Sequence, residues 1–195
     1  MDTAPTEVRA GVSLLERAVG YALGVLPLVG EDTLARPTPC ADWDLRLLLV
    51  HLLDSLDALC EAVEGQVSLD LPAARLSDAG AEQLTSAVRE RCRQLVGAWS
   101  GAGRGHGTVE VDGMLLSSAI VTGTGAIEIA VHGWDLARAC GAARPLPAGL
   151  AEELLELAPY FVHPTDRPGR FGAALPCEAD AQAGERLLRF LGRTG

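Results

Sequence analysis

Apolar side chains recur at every third or fourth position over long stretches of the chain, a pattern typical of amphipathic helices. This spacing predicts a first helix from about residue 6 to 28 and a second, with a broader apolar stripe, from about 45 to 64. Asp42 or Asp44 is placed to cap the second helix, and Gly65 is expected to end it. The first third of the chain is therefore predicted to form two long helices.

A third and a fourth long helix follow, separated by a glycine-rich segment. The third is predicted from about 78 to 99 with Ser77 as its N-cap. The fourth is predicted from about 114 to 140 and ends at Gly141, although it contains three internal glycines. Between them, "TVEVDG" alternates polar and apolar residues, which indicates at most a short extended piece.

Two further apolar segments, "LPAGLAEELLELAPYFVHP" and "EADAQAGERLLRFLGR", predict a fifth helix and a short terminal one. Four long helices with connections of mixed length predict an all-α chain, a four-helix bundle with short extra C-terminal helices. We expect a single domain over residues 1–195 and less than about a tenth of the chain in strands. Functional sites in such bundles are commonly built from inward-facing side chains of neighbouring helices.

Composition narrows the class of partner. The formal net charge is −10 and the sequence pI is near 4.8, so the chain lacks a broad basic surface that would neutralise phosphates. We therefore expect neither a nucleic-acid nor a membrane partner, but a small molecule or a protein. The chain itself is expected to be a monomer or a homodimer. The five cysteines include no Cys-x-x-Cys pair, the N-terminus has no signal-peptide pattern, and charges interrupt the apolar stretches. These features favour the cytoplasm.

Candidate metal chemistry lies in "GAIEIAVHGWDLARACG", residues 125–141. On a helix, Glu128 and His132 are one turn apart on the same face and can converge on one ion. His51 lies inside the apolar run "LLLVHLL" of the second predicted helix and is the natural third ligand. Two histidines and a carboxylate form a recurrent catalytic zinc site with one open position. A hydrogen-bonded core histidine and a solvated Glu-His pair are the structural alternatives.

Three sequence blocks carry a resemblance to a known family. "TPCADWDLRLLLVHLL", "EIAVHGWDLARACG" and "ALPCEADAQAGERLLRFLGR", in this order, resemble the DinB-like metal-binding family of actinobacteria. The resemblance is to the branch related to the N-terminal domain of mycothiol-dependent maleylpyruvate isomerase. It implies a four-helix bundle that holds Zn²⁺ or another divalent metal through His51, Glu128 and His132. It also implies mycothiol, a low-molecular-weight thiol, as a co-substrate. The isomerase's second domain has no counterpart here, so we do not expect maleylpyruvate isomerisation.

Residues near the predicted triad have weaker signals. Asp135 lies on the face of Glu128 and His132, where it can accept the second imidazole proton, and we expect it to act behind the ligands rather than as one. Arg138 points off that face and is predicted to be on the surface. His106, in the glycine-rich segment, is a candidate proton shuttle if that segment covers the metal.

The aromatic and sulfur residues of these segments are assigned structural roles. Trp43 and Trp134 lie beside caps and core stripes and are predicted to anchor the core. Cys40 and Cys60 are close to His51 along the chain, but neither belongs to a paired cysteine motif, which argues against sulfur ligands.

The leading functional hypothesis is a zinc-dependent enzyme that activates a small thiol for transfer to, or isomerisation of, a small electrophile. An alternative is metal-dependent hydrolysis, with Asp135 or His106 handling protons. A third is a metal-binding accessory protein without catalysis. An open metal position favours an enzyme, whereas a fourth protein ligand or a sealed core favours the accessory role.

Overall fold

The computed structural model describes residues 4–40, 42–67, 76, 78–101, 107–111, 113–167, 171–178 and 180–194. Within them the helices are α1 (Ala4–Val25), α2 (Leu45–Glu61), α3 (Ala81–Gly101), α4 (Ser118–Ala139), α5 (Ala148–Phe161) and α6 (Ala183–Phe190). The strands are β1 (Gln66–Val67), β2 (Thr108–Val111) and β3 (Met114–Ser117). Short 3₁₀ turns extend α1 over Leu26–Leu28 and α2 over Ala62–Glu64.

The four long helices form a closed bundle. α1 packs against α4, α4 against α2, α2 against α3, and α3 against α1, while α5 covers α4 and α6 packs on α5. One cluster of buried apolar side chains includes residues from all six of these helices. The predicted all-α bundle with short extra C-terminal helices is confirmed.

Local side-chain chemistry sets the ends of α2 and α3. Asp44 caps α2 as predicted, since its carboxylate accepts a hydrogen bond from the Leu47 backbone N–H at 2.9 Å. Gly65 ends the following turn in the left-handed conformation, φ 92°. At the start of α3 the carboxylate of Glu31 accepts from the Ala81 N–H at 2.8 Å. The predicted cap, Ser77, lies outside the described residues.

The fourth helix begins later than the sequence predicts, because residues 114–117 form strand β3 instead of its first turn. β2 and β3 are an antiparallel hairpin that turns at Gly113, φ 78°, and β1 adds to β2 in parallel. Thr108–Val111 alternates polar and apolar side chains as a strand does, whereas Met114, Leu115 and Leu116 form an apolar run without alternation. α4 then starts at Ser118, and the Ser117 hydroxyl accepts from the Ile120 N–H at 3.3 Å.

Glycines inside α4 allow neighbouring helices to approach closely. A Cβ on Gly133 would lie 3.2 Å from ring atoms of Tyr21 and 3.3 Å from the Ala22 Cα of α1. A Cβ on Gly125 would lie 2.6 Å from a methyl carbon of Leu59 on α2. Contacts this short are rare in side-chain packing, so an added Cβ at either position would displace its neighbour, and glycine is favoured there despite its low helix propensity. The same close packing brings α2 and α4 together around the candidate site.

The N-terminal helix is more apolar than the sequence analysis assumed. Among the described residues, the segment Ala10–Leu28 is long and apolar enough to cross a membrane by length and composition alone. Core helices of soluble proteins pass the same test, and α1 contributes Leu15, Ala18 and Ala22 to the buried core. Its opposite face carries Arg17, whose guanidinium forms an ion pair with Glu153 at 2.6 Å.

Candidate metal centre

Helices α2 and α4 bring the three predicted ligands together. The Nε2 atom of His51 lies 2.6 Å from Oε1 of Glu128, and Nε2 of His132 lies 3.1 Å from the same oxygen. The ligand atoms of all three residues lie within 4.8 Å of one another. The one-turn spacing of Glu128 and His132 on α4 therefore aligns both side chains with the histidine that faces them from α2, as the sequence predicts.

The cluster is sealed on one side and open on the other. His132 is 7% exposed, whereas His51 and Glu128 keep 36% and 30% of their side-chain surface accessible. The imidazole rings of the two histidines are nearly perpendicular, with centroids 5.1 Å apart. Among the described residues, His51, Glu128 and His132 are the group of histidine and carboxylate side chains that lie close enough together to hold a metal ion. A small molecule can therefore reach the cluster from the side of His51 and Glu128.

The charges of the cluster are strongly coupled. Burial alone would raise the pKa of the Glu128 carboxyl, but the charge of His132 and hydrogen bonds from His132 and His51 hold that pKa well below its usual range. Burial alone would lower the pKa of His132, but the charge of Glu128 and hydrogen bonds to Asp135 and Glu128 raise it to about 9. Without metal, His132 is thus protonated at neutral pH, and its imidazolium is the positive charge beside Glu128.

Asp135 lies behind His132, as the sequence predicts. Its Oδ2 atom is 3.0 Å from Nδ1 of His132, and the carboxylate is fully buried. Since a carboxylate can only accept, Nδ1 of the imidazole donates this hydrogen bond and Nε2 is directed to the cluster. The same carboxylate accepts two hydrogen bonds from the guanidinium of Arg193, from Nη2 to Oδ2 at 3.1 Å and from Nε to Oδ1 at 3.5 Å.

Trp43 also forms part of the site, which the sequence analysis did not predict. Its ring centroid lies 4.6 Å from that of His51 and 6.2 Å from that of His132. The loop before α2 holds it there, because the Thr38 hydroxyl donates to the Trp43 carbonyl at 3.0 Å. Trp43 is half-buried and forms an apolar wall beside both imidazoles. By contrast, Trp134 is buried in the core as predicted.

Other residues considered from the sequence lie at or away from the site. Arg138 is exposed and stacks over Trp134, off the ligand face as predicted. Cys40 is half-buried with Sγ 4.0 Å from Nη2 of Arg193, and burial raises the pKa of its thiol. Cys60 lies further along α2, where burial likewise raises the pKa of its thiol. His106 lies outside the described residues.

Besides Trp43, two residues near the cluster were missed, Ser55 and Arg193. The hydroxyl of Ser55 donates to Oε1 of Glu128 at 3.3 Å. Its position four residues after His51 places it on the same helix face and is a usable signal. Arg193 is far from Asp135 along the chain, and no spacing rule connects the two.

The donor set fits a divalent ion. Imidazole nitrogens and a carboxylate oxygen are ordinary zinc ligands, and three of them with an accessible side match the composition of catalytic zinc sites. His132 already has its Nδ1–H bonded to a carboxylate, an arrangement that orients many zinc-binding histidines. The convergence of His51 and His132 on one oxygen atom of Glu128 shows that the three ligands already share a small volume.

A helical bundle with this arrangement of α2 and α4 is of the DinB-like type. The sequence matches the model of the mycothiol maleylpyruvate isomerase N-terminal domain family over residues 15–137, and the chain belongs to that family. The matched segment contains the three clustered residues and Asp135, and it ends before Arg193. The predicted family is thereby confirmed.

Two curated proteins and two solved structures are also similar to the chain. The uncharacterized proteins MT0763 and Rv0738 of two Mycobacterium tuberculosis strains are each 28% identical over 181 residues, which is 92% of this chain and 95% of the relative. The crystal structure of mycothiol-dependent maleylpyruvate isomerase is similar at a TM-score of 0.62 and 17% identity, covering 76% of this chain. A histidine-to-alanine mutant of that enzyme gives 0.61. The chain spans 66% of the isomerase's length, and this likeness shows a common fold.

Proposed function

We propose that the chain binds a divalent metal, zinc in the first place, through His51, Glu128 and His132, and uses it to activate a small thiol. The thiol would lose its proton and its sulfur would form a bond to a small electrophile. Either the thiol stays attached to that molecule, as in a transfer, or it leaves again once the molecule has isomerised. The observation that carries this proposal is the convergence of three ligand atoms within 4.8 Å, at a place accessible from one side. The family supports mycothiol as the thiol, because its name and the similar isomerase both refer to it.

The chemistry needs no nucleophilic side chain. When bound, a divalent cation favours the thiolate form of a thiol at neutral pH. His51 and Glu128 define the accessible side, so thiol and electrophile would enter there. Trp43 packs beside both imidazole rings, and the Ser55 hydroxyl holds one oxygen of Glu128 by its hydrogen bond. Asp135 keeps Nδ1 of the second imidazole protonated, which leaves its Nε2 free as a ligand.

The alternatives receive less support. Hydrolysis requires a proton acceptor near the attacking water. Of the two residues predicted for this role, Asp135 is fully buried between His132 and Arg193, and His106 lies outside the described residues. A purely structural metal site would be closed, whereas His51 and Glu128 are each about a third exposed. The thiol-using enzyme is therefore the best-supported hypothesis. A small intracellular thiol as co-substrate also supports the predicted cytoplasmic location.

Calorimetry of mycothiol binding to the zinc-loaded and the chelator-treated protein tests the proposal. We expect binding to the loaded protein and at least tenfold weaker binding after chelation, because coordination favours the thiolate. S-methyl mycothiol is the matched control ligand and should bind weakly to both forms. Equal affinity for thiol and thioether, or equal affinity with and without metal, would refute thiol activation. Cleavage of a test ester by the loaded protein without thiol would favour the hydrolase.

A further inference from the structure

We infer that Arg193, which follows the last helix, is a positioning residue of the metal centre: it fixes Asp135, which in turn fixes the imidazole of His132. The inference rests on the proposed function. It goes beyond the family assignment, because the matched segment, residues 15–137, includes Asp135 and does not reach Arg193.

The turn after α6 directs Arg193 into the protein. Gly192 adopts the left-handed conformation, φ 79°, and its N–H donates to the Arg189 carbonyl at 3.0 Å. The N–H of Arg193 donates to the Leu188 carbonyl at 2.8 Å, which completes a Schellman-type helix end. A Cβ on Gly192 would lie 2.7 Å from the backbone of Gly172. Glycine is therefore required here by both conformation and space.

The guanidinium of Arg193 contacts both oxygens of one carboxylate. Nη2 lies 3.1 Å from Oδ2 of Asp135 and Nε lies 3.5 Å from Oδ1, while Nη1 donates to the Leu191 carbonyl at 3.2 Å. The side chains are 7% and 0% exposed, so this ion pair is shielded from water. A two-point contact from a planar guanidinium restricts the rotation of the carboxylate as well as its position.

This contact bears directly on a candidate ligand, because Oδ2 of Asp135 is shared. It accepts from Nη2 of Arg193 and from Nδ1 of His132. Removing the guanidinium would leave a buried carboxylate without its fixed counter-charge and free to turn away from the imidazole. Partners that orient metal-bound histidines typically change metal affinity about 10- to 100-fold when they are lost. Arg193 is expected to act on affinity within this range.

The C-terminal segment has a second anchor that does not involve the metal centre. Arg167 donates from Nη2 to the Phe190 carbonyl at 2.7 Å and also contacts the Gly172 carbonyl. These contacts should hold the C-terminal segment in place when Arg193 is changed. An effect of Arg193 on the metal centre can therefore be distinguished from loss of the segment's packing.

The test compares Arg193→Gln, Arg193→Lys, Asp135→Asn and the double variant Arg193→Gln/Asp135→Asn with the wild type. Zinc affinity is measured by chelator competition, and the ligand field by visible absorption of the Co²⁺ form. We expect Arg193→Gln to weaken zinc binding about tenfold or more and to alter the Co²⁺ spectrum. Arg193→Lys keeps the positive charge but lacks the planar guanidinium, so its zinc affinity should lie between those of Arg193→Gln and the wild type. Arg189→Gln, which removes a surface pairing with Glu185, is the control and should bind zinc like the wild type.

The double variant identifies the route of the effect. If Arg193 acts through Asp135, the double variant binds zinc as Asp135→Asn does, within about twofold. Independent, multiplied losses would overturn the inference, as would wild-type affinity in Arg193→Gln. If Arg193→Gln alone does not fold, the double variant can still be compared with Asp135→Asn, because it leaves no unpaired charge in the buried pair.

A metal-free readout separates this inference from the proposed function. In the metal-free wild type, the Nδ1–H of His132 should give a slowly exchanging side-chain resonance in NMR, and Arg193→Gln should speed its exchange with water. If the wild type binds no zinc but this resonance depends on Arg193, the metal proposal fails and the positioning role stands. If the wild type binds zinc and neither zinc affinity nor the resonance responds to Arg193→Gln, the positioning role fails.

Discussion

The metal-free protein should lose stability as the pH rises from 6 to 8, because of His132. The charge of Glu128, together with hydrogen bonds to Asp135 and Glu128, outweighs burial and raises the folded-state pKa of His132 from 6.5 to about 9. A group whose pKa is raised on folding stabilises the protein fully below its unfolded pKa, and this stabilisation is lost as the pH rises through the folded value.

The size of the effect follows from the shift. At about 1.4 kcal/mol per pKa unit, the full contribution of His132 is about 3 kcal/mol, and about 2 kcal/mol of it should be lost between pH 6 and 8. With zinc bound the loss should disappear, since a ligating imidazole is neutral and metal binding strengthens as protons become scarcer.

Urea unfolding at pH 6, 7 and 8, with chelator and with zinc, measures this difference. His132→Gln is the matched control, because it keeps a polar side chain but does not titrate, and its metal-free profile should be flatter by about the same amount. A metal-free wild type whose unfolding free energy stays level or rises over this interval would refute the charge coupling between His132 and Glu128.

Three further outcomes are expected. Glu128→Gln keeps the shape of the side chain but removes its charge, so zinc and thiol affinity should fall together in calorimetry; loss of only one would contradict a shared site. Gly133→Ala should lower the unfolding free energy by about 1–3 kcal/mol, because the added carbon contacts α1. Gly97→Ala is the control: its added carbon meets open space, and it should raise the unfolding free energy by up to about 1 kcal/mol. Equal effects of the two substitutions would contradict the close approach of α1 and α4. Co²⁺ should quench the fluorescence of Trp43, and Trp43→Phe should remove most of that quenching; unchanged quenching would place the metal elsewhere.

Local patterns predicted the helices because helix formation and capping depend on neighbours in sequence. The periodicity placed α2 within a few residues, and Asp44 caps it as expected. The start of α4 was wrong because residues 114–117 gain their hydrogen bonds by pairing with β2. Their sequence, Met-Leu-Leu-Ser, does not alternate, so it continues the apolar pattern of the helix and gives no strand signal.

In the candidate site, too, residues related by local spacing could be predicted, whereas residues joined by long-range contacts could not. Glu128 and His132 could be paired from their spacing, and His51 could be recognised as a polar residue in an apolar run. Arg193 could not be found in this way, since its contact with Asp135 joins positions 58 residues apart. Trp43 was assigned to the core because sequence does not show that its loop folds back over the two imidazoles.

Metal content is the most direct test of the central claim. The purified protein, loaded with zinc and dialysed, is analysed for metal by mass spectrometry beside His51→Ala and the neighbouring control Asp54→Asn. We predict one zinc ion per chain in the wild type and in the control, and no stoichiometric metal in His51→Ala, because the remaining two ligands are insufficient to hold the ion. Full retention of zinc by His51→Ala, or a wild type that holds none, would contradict the assignment of the metal centre.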